Sequence, residues 1–297
     1  MSPDLAVIGG GPAGMSAALT ASGNRLSVRI FEAGPSLGGA LHAAHHPIAD
    51  LLGIEGRDGP SVAELLAAHV RGAGIEIALG TPIDAIEAEA DHFLLRASDG
   101  TTALARAVLL ATGTAPRALG VPGEELLDRR SIRDAAPSIG DRDTVVVIGG
   151  GDEAAYSAAV LAERAARVIV LSRGALRARP LFAAPLWAHP RIEVREGAAV
   201  ERIEAGLKLL LAGGQEIAAS AAFLRIGAAP KLPRLRPAPR LGPSGVEVDP
   251  RGRTSVPGLY AAGDVSVEAE RRYVALAIGQ GAVVARAIEE ALSGRYS

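Results

Sequence analysis

Gly9, Gly11 and Gly14 stand at the spacing G-x-G-x-x-G, and a carboxylate, Glu32, follows about twenty residues on. This pattern suits a pyrophosphate. The first glycine permits a tight turn, the second lets backbone approach the phosphates, and the third lets a helix pack on the preceding strand. The helix N-terminus then offers free N–H groups and a partial positive charge. A carboxylate closing the next strand accepts bonds from ribose hydroxyls. Glycine spacing alone is a weak signal; the ordered succession of strand, turn, helix, strand and acid makes it specific. The device recurs at Gly149, Gly151 and Ala154, the variant with alanine as third small residue. Its second strand ends differently, in Ser172, with Arg173, Arg177 and Arg179 after it. Arginine there suits a 2′-phosphate, whereas an acid would select a 2′-hydroxyl. The second site is therefore expected to prefer NADPH over NADH, with Arg173 and Arg177 on the 2′-phosphate and Ser172 among the cofactor-binding residues.

The pattern of apolar residues supplies elements to hold both turns. Leu5–Ile8 reads as a buried strand, Gly9–Gly14 as the turn, Met15–Ala21 as the start of a helix and Ser27–Phe31 as the next strand. Val62–Gly72 has helical amphipathicity, and Ile75–Leu79, His92–Ala97 and Ala107–Leu110 read as strands. In the second half Thr144–Ile148 is a strand, Glu153–Ala165 a helix and Val168–Leu171 a strand. Gly227–Gly245 is rich in proline, glycine and arginine and is expected as loop or linker. Val256–Val265 reads as a strand running into a turn, and Tyr273–Leu292 as a long apolar helix. The first unit lacks a finish before residue 115. The expected fold is therefore α/β: two Rossmann-like, doubly wound dinucleotide-binding domains, one inserted into the other. The expected segments are residues 1–115, 116–242 for the insert, and 243–297 returning to the first domain.

Composition removes several function classes. The 31 basic and 33 acidic residues leave a net charge of −2, without the basic face that nucleic acid requires. Only 3% of residues are aromatic, too few for base-stacking platforms. Cysteine is absent, which excludes disulfides, thiolate metal sites and every thiol-based catalytic step. The opening residues run into a strand without a basic or separate apolar leader, and no uncharged apolar stretch is long enough for a bilayer. A cytoplasmic protein with no membrane partner is expected.

With these motifs in place, the chain resembles the low-molecular-weight thioredoxin-reductase-like flavoproteins over nearly its whole length. The matching pieces are GGGPAG (Gly9–Gly14), Glu32, GGAL (Gly38–Leu41, like the family's GGQL), ATG (Ala111–Gly113), GVPGEE (Gly120–Glu125) and GGGDEA (Gly149–Ala154). SRGALRA (Ser172–Ala178) is similar to a degraded HRRxxFRA, AAGDV (Ala261–Val265) to the flavin-binding GD motif, and RYVALAIGQGAVVA (Arg272–Ala285) to the last helix. The resemblance implies FAD in the first domain and NADPH in the second, and a homodimer. It implies FAD contacts from Gly9, Gly11, Pro12, Ala13, Gly14, Glu32, Gly39, Leu41, Asp50, Ala111, Thr112, Gly113, Gly263, Asp264, Tyr273 and Val274. Asp264 would meet the ribityl or phosphate region and Val274 the isoalloxazine edge. For NADPH it implies Gly149, Gly151, Asp152, Glu153 and Ala154. Passage of hydride from nicotinamide to flavin explains the duplication, and rests on proximity rather than a protein acid or base; no catalytic residue is assigned. In this family the second domain rotates to bring the rings together, which linkers near 115 and 242 would permit.

The resemblance fails where the chemistry of thioredoxin reduction lies. Alignment on the second glycine turn places the family's CxxC at Ile132, Arg133, Asp134 and Ala135. Electrons cannot leave through a dithiol of this chain. The expected acceptors are a ferredoxin or flavodoxin, a quinone, a small molecule or oxygen. The alternative is a flavin- and NADP(H)-binding sensor with little or no turnover. Ferredoxin–NADP reductases of this kind carry a C-terminal aromatic over the flavin, a place that Tyr296 fills only as a shortened version or, more simply, as a frayed end. His42, His45 and His46 form a polar loop, with proton donation as the sharper reading and no metal site expected. Asp50, near the flavin N5–C4 edge by resemblance, would disfavour an anionic reduced flavin by like-charge repulsion. His69 and His189 are expected to be structural, and Trp187 to pack in the second domain.

Overall fold

The computed structural model describes residues 2–44, 48 and 51–294, the side chains of Arg133 and Glu270 excepted. It divides into two compact units, Met1–Ala115 with Ala229–Ser297, and Pro116–Ala228.

The first unit is built on a five-stranded parallel sheet in the order Leu259–Ala261, Ala107–Leu110, Leu5–Ile8, Val28–Phe31, Glu76–Ala78. Leu5–Ile8 and Ala107–Leu110 are buried at every residue, as strands covered on both faces must be. On one face lie the helices Pro12–Gly23, Gly59–Gly72 and Val274–Ser293, closing a core that includes Val7, Ile30, Leu109, Val70, Val284 and Ile288. The other face packs through Ile8, Phe31 and Val108 on a sheet ordered Arg234–Arg236, Ile83–Ala88, Phe93–Ala97, Thr102–Ala105. The Gly59–Gly72 helix starts earlier than its apolar periodicity indicates. Asp58 caps it, accepting from Ser61 N at 2.9 Å, and Pro60 fits its first turn.

Two helices that follow parallel strands have their N-termini at the same edge of the sheet. They are Pro12–Gly23 and Val274–Ser293, and they pack at close range. A methyl on Gly281 would lie 2.2 Å from Ala13 O, and Ser16 Oγ donates to Ile278 O at 2.7 Å. Small residues along this contact fix where both helix ends sit.

The second unit repeats the plan. Its parallel sheet has the order Ile192–Glu196, Arg167–Ser172, Thr144–Ile148, Ala221–Leu224. The helices Asp152–Ala162 and Pro180–Ala188 close one core with Val145, Val147, Val168 and Phe223. The antiparallel strands Val200–Glu204, Lys208–Leu211 and Glu216–Ala218 close the other.

Three expectations are corrected. The return to the first unit falls at residue 229 rather than 243. Gly227–Gly245 is not plain linker: Ala228–Pro230, Arg234–Arg236 and Leu241–Gly242 are short strands, and Arg234–Arg236 adds a parallel edge to Ile83–Ala88. Proline and arginine obscure such a strand in sequence, yet both are tolerated at a sheet edge. Trp187 does not pack inside. It is 61% exposed on the helix Pro180–Ala188, where Leu186 occupies the core.

Candidate functional site

The first turn leaves strand Leu5–Ile8 with Gly9 at φ +108°, a conformation L side chains rarely adopt. A methyl on Gly9 would also lie 2.3 Å from Ala111 O, and one on Gly14 2.0 Å from Gly9 O. Gly11 differs: a methyl there meets no atom within 4 Å. Gly11 is the N-cap of the Pro12–Gly23 helix and supplies no side-chain cap. The free N–H groups of that helix end therefore border open space, which is a cradle for an anion. Glu32 accepts from Gly10 N and Gly34 N, each at 2.6 Å. It clamps the turn. Gly10 was not singled out by sequence; the run of three glycines was its only signal. A methyl there would lie 2.3 Å from Leu37 Cδ2.

Around this turn the structure gathers ATG, GD and the last helix. Gly9 and Ala111 are in backbone contact, Ala262 N donates to Leu110 O at 3.1 Å, and a methyl on Gly263 would lie 2.9 Å from Ala13 Cβ. Thr112 Oγ1 is buried without a hydrogen-bond partner, an orphan that a bound group would satisfy. Asp264 is half-buried and, among the described residues, has no hydrogen bond. Burial pushes its carboxyl above the ordinary carboxylate range, against a smaller downward pull from Arg272. Gln280 Oε1 accepts from Gly263 N at 2.9 Å and so holds the GD turn against the last helix. This residue was missed in sequence, its signal being the one polar side chain in the otherwise apolar run Val274–Ala285. Tyr273, the uncapped helix's N-cap, is 51% exposed. Val274 packs on a small core of Leu41, Ile48, Val62 and Ala63. The Leu41 side chain is buried in that core, its N–H donates to Gly38 O at 3.2 Å and its carbonyl accepts from Ala44 N at 3.0 Å; Gly39, at φ +55°, comes close to Gly11 Cα. These residues fit FAD: an open glycine cradle at a free helix end, an orphan hydroxyl and a half-buried carboxylate without a hydrogen bond surround one edge of the sheet.

The second turn follows the same geometry. Gly149 has φ +153°, and a methyl on it would lie 2.0 Å from Arg225 O. Gly151, N-cap of the Asp152–Ala162 helix, faces open space and gives no side-chain cap. Ala154 is fully buried against Gly149. Ser172 is 4% exposed and closes on Gly150, whose added methyl would lie 2.3 Å from Ser172 Oγ. Ser172 thus stands beside the second turn where Glu32 stands beside the first. Arg173 and Arg177 are exposed, and among the described residues no carboxylate pairs with either. Arg177 N donates to Gly150 O at 2.7 Å, which places that arginine beside the turn. Arg179 is tied to Asp152 instead. The set fits NADPH, with two uncommitted guanidiniums beside the strand end.

At the position of the missing dithiol, Ile132–Ala135 is a short helix capped by Ser131, whose Oγ donates to Asp134 Oδ2 at 2.7 Å. Ile132 is 7% and Ala135 0% exposed, both in the core of the second unit. His42 Nε2 lies 2.9 Å from Leu37 O and 3.1 Å from Ser36 Oγ, bracing its own loop. Among the described residues no three potential ligands meet as a metal site. Asp50, His45, His46 and Tyr296 lie outside the described residues. Among the described residues no helix is long and apolar enough to cross a membrane.

The chain matches the family described as pyridine nucleotide-disulphide oxidoreductase over residues 3–286. It is 30% identical over 298 residues to the F component of alkyl hydroperoxide reductase of Pseudomonas aeruginosa, covering 94% of this chain and only 56% of that protein. It is 30% identical over 313 residues to thioredoxin reductase of Peptoclostridium acidaminophilum, covering 99% of this chain and 98% of the relative. Among solved structures, Lactococcus lactis thioredoxin reductase in its FR conformation superposes with a TM-score of 0.78 at 25% identity, over 99% of this chain and all of the other.

Proposed function

Because the chain belongs to the pyridine nucleotide-disulphide oxidoreductases, thioredoxin-reductase-like enzymes that use FAD and NADPH, we propose that it passes electrons from NADPH through FAD to an acceptor other than a disulfide of its own. The observation that carries this reading is the filled dithiol position: 297 residues contain no cysteine, and Ile132 and Ala135 are core residues. FAD supplies two-electron uptake from the nicotinamide and release to an acceptor. The chain supplies binding and orientation. Gly11 and the end of the Pro12–Gly23 helix hold the FAD pyrophosphate, Glu32 its ribose, and Thr112 and Asp264 its central portion. The end of the Val274–Ser293 helix presents partial positive charge to the flavin. Gly151 and the Asp152–Ala162 helix hold the NADPH pyrophosphate, with Arg173 and Arg177 on the 2′-phosphate. The acceptors in view are a ferredoxin or flavodoxin, a quinone, a small molecule and oxygen, and the working form is a cytoplasmic homodimer.

The test is anaerobic mixing of the FAD-loaded protein with NADPH. Rapid loss of the yellow absorbance is expected, followed by reoxidation when the correct acceptor from a panel is admitted. A flavin still oxidised after minutes with NADPH bound overturns the enzyme reading in favour of a dinucleotide sensor.

A further inference from the structure

The helix after the first glycine turn has no acidic residue in its first turn, whereas the helix after the second has two, Asp152 and Glu153. Carboxylates there suit the helix, since they face the partial positive charge of its free N–H groups. They oppose a pyrophosphate bound at the same end, which meets like charge. Within the second unit each acid is matched with an arginine from a distant segment. Arg179 donates from its backbone N–H to Asp152 Oδ1 at 2.7 Å, and from Nε to Asp152 Oδ2. Arg225 holds its Nε 3.6 Å from Glu153 Oε1.

Arg225 is only 5% exposed, at the end of strand Ala221–Leu224. Its guanidinium donates to Ser157 Oγ at 3.2 Å, Leu224 O at 2.8 Å and Arg130 O at 2.6 Å, all neutral acceptors. Burying a guanidinium is costly unless hydrogen bonds and a nearby opposite charge offset it. The carboxylates of Glu153 and Asp128 act on it from outside that pocket. Its carbonyl backs Gly149, so the same residue shapes the turn and faces the acid beside it.

We propose that Arg179 and Arg225 are charge-screening, positioning residues of the second dinucleotide site. By neutralising Asp152 and Glu153 they allow a pyrophosphate to occupy the helix end, without touching the 2′-phosphate that Arg173 and Arg177 serve. This rests on the reading that the second unit takes NADPH. The screen acts on the part of the ligand that NADP⁺ and NAD⁺ share, so its loss weakens both by the same factor.

Calorimetric titration of the FAD-loaded protein with NADP⁺, and separately with NAD⁺, tests this without turnover. Arg179→Gln, at an exposed side chain, weakens both about tenfold, the order of effect expected of one unscreened like charge beside a phosphate in a largely solvated site. Asp152→Asn added to Arg179→Gln restores the affinity. Glu153→Gln releases the Arg225 charge toward the ligand and tightens both, without disturbing the buried arginine itself. Unchanged affinity in Arg179→Gln, weakening confined to NADP⁺, or weakening that Asp152→Asn fails to rescue would each overturn the screen by Arg179. Unchanged affinity in Glu153→Gln overturns the part assigned to Arg225. A wild-type protein that gives no heat with either dinucleotide removes the NADPH reading together with the screen, and is distinguished from the other results by that silence.

Discussion

Gly11→Ala separates binding from folding in one substitution. Gly11 has φ −75° and ψ −179°, which any residue adopts, and its added methyl meets no atom within 4 Å. The flavin-free variant should therefore be as stable as the parent or gain up to about 1 kcal/mol, because alanine restricts the unfolded chain. The methyl instead occupies the approach to the helix N-terminus. Losing one hydrogen bond to a charged phosphate costs about 1.5–3 kcal/mol, or roughly ten- to hundredfold in FAD affinity. At a free FAD concentration about 100 times the parent's Kd, binding adds about 2.7 kcal/mol to stability; a hundredfold weaker variant retains about 0.4 kcal/mol. For a chain of 297 residues that hundredfold loss is a fall of about 4 °C in the FAD-saturated melting temperature with none in the flavin-free one. Gly14→Ala is the contrast. Its methyl would lie 2.0 Å from Gly9 O and 3.0 Å from Val7 Cγ1, so overpacking lowers the flavin-free melt by about 1–3 kcal/mol. Thermal melts of both variants with and without FAD, with flavin fluorescence for the Kd, decide the matter. Parental FAD affinity in Gly11→Ala, or a flavin-free melt as depressed as that of Gly14→Ala, would refute the reasoning.

Three further outcomes are expected. Burial raises the Asp264 carboxyl in the folded, flavin-free chain, so the folded state binds more protons than the unfolded one, and this residue's contribution to stability falls as pH rises through the raised pKa. Asp264→Asn should thus be more stable than the parent at neutral pH and match it below the ordinary carboxylate range, as denaturant titrations at both pH values would show. Arg173→Ala and Arg177→Ala should each lower kcat/KM for NADPH about tenfold and leave that for NADH unchanged, in steady-state assays with an artificial acceptor. Ile132→Cys/Ala135→Cys should yield thiols that react with an aromatic disulfide reagent at least about tenfold more slowly in the folded than in the denatured chain, because both sites are buried; rapid reaction in the folded chain would show that the helix opens.

What the sequence determined was local. The glycines at 9, 11 and 14 and at 149 and 151, the apolar runs beside them and the absence of sulfur are each readable because turn geometry, strand burial and thiol chemistry depend on residue type and spacing along the chain. What tertiary structure decided was which distant groups meet. SRGALRAR offers three arginines of one kind, and only the approach of that loop to the helix end commits Arg179 to Asp152 while leaving Arg173 and Arg177 free. Arg225 looks like one more charge after a strand until the parallel pairing of Ala221–Leu224 with Thr144–Ile148 buries it beside the second turn. Arg234–Arg236 becomes a strand because Ile83–Ala88 offers it an edge, and that pairing moves the return crossing to residue 229. In each case the deciding energy is a pairing between segments far apart in sequence, to which local periodicity is blind.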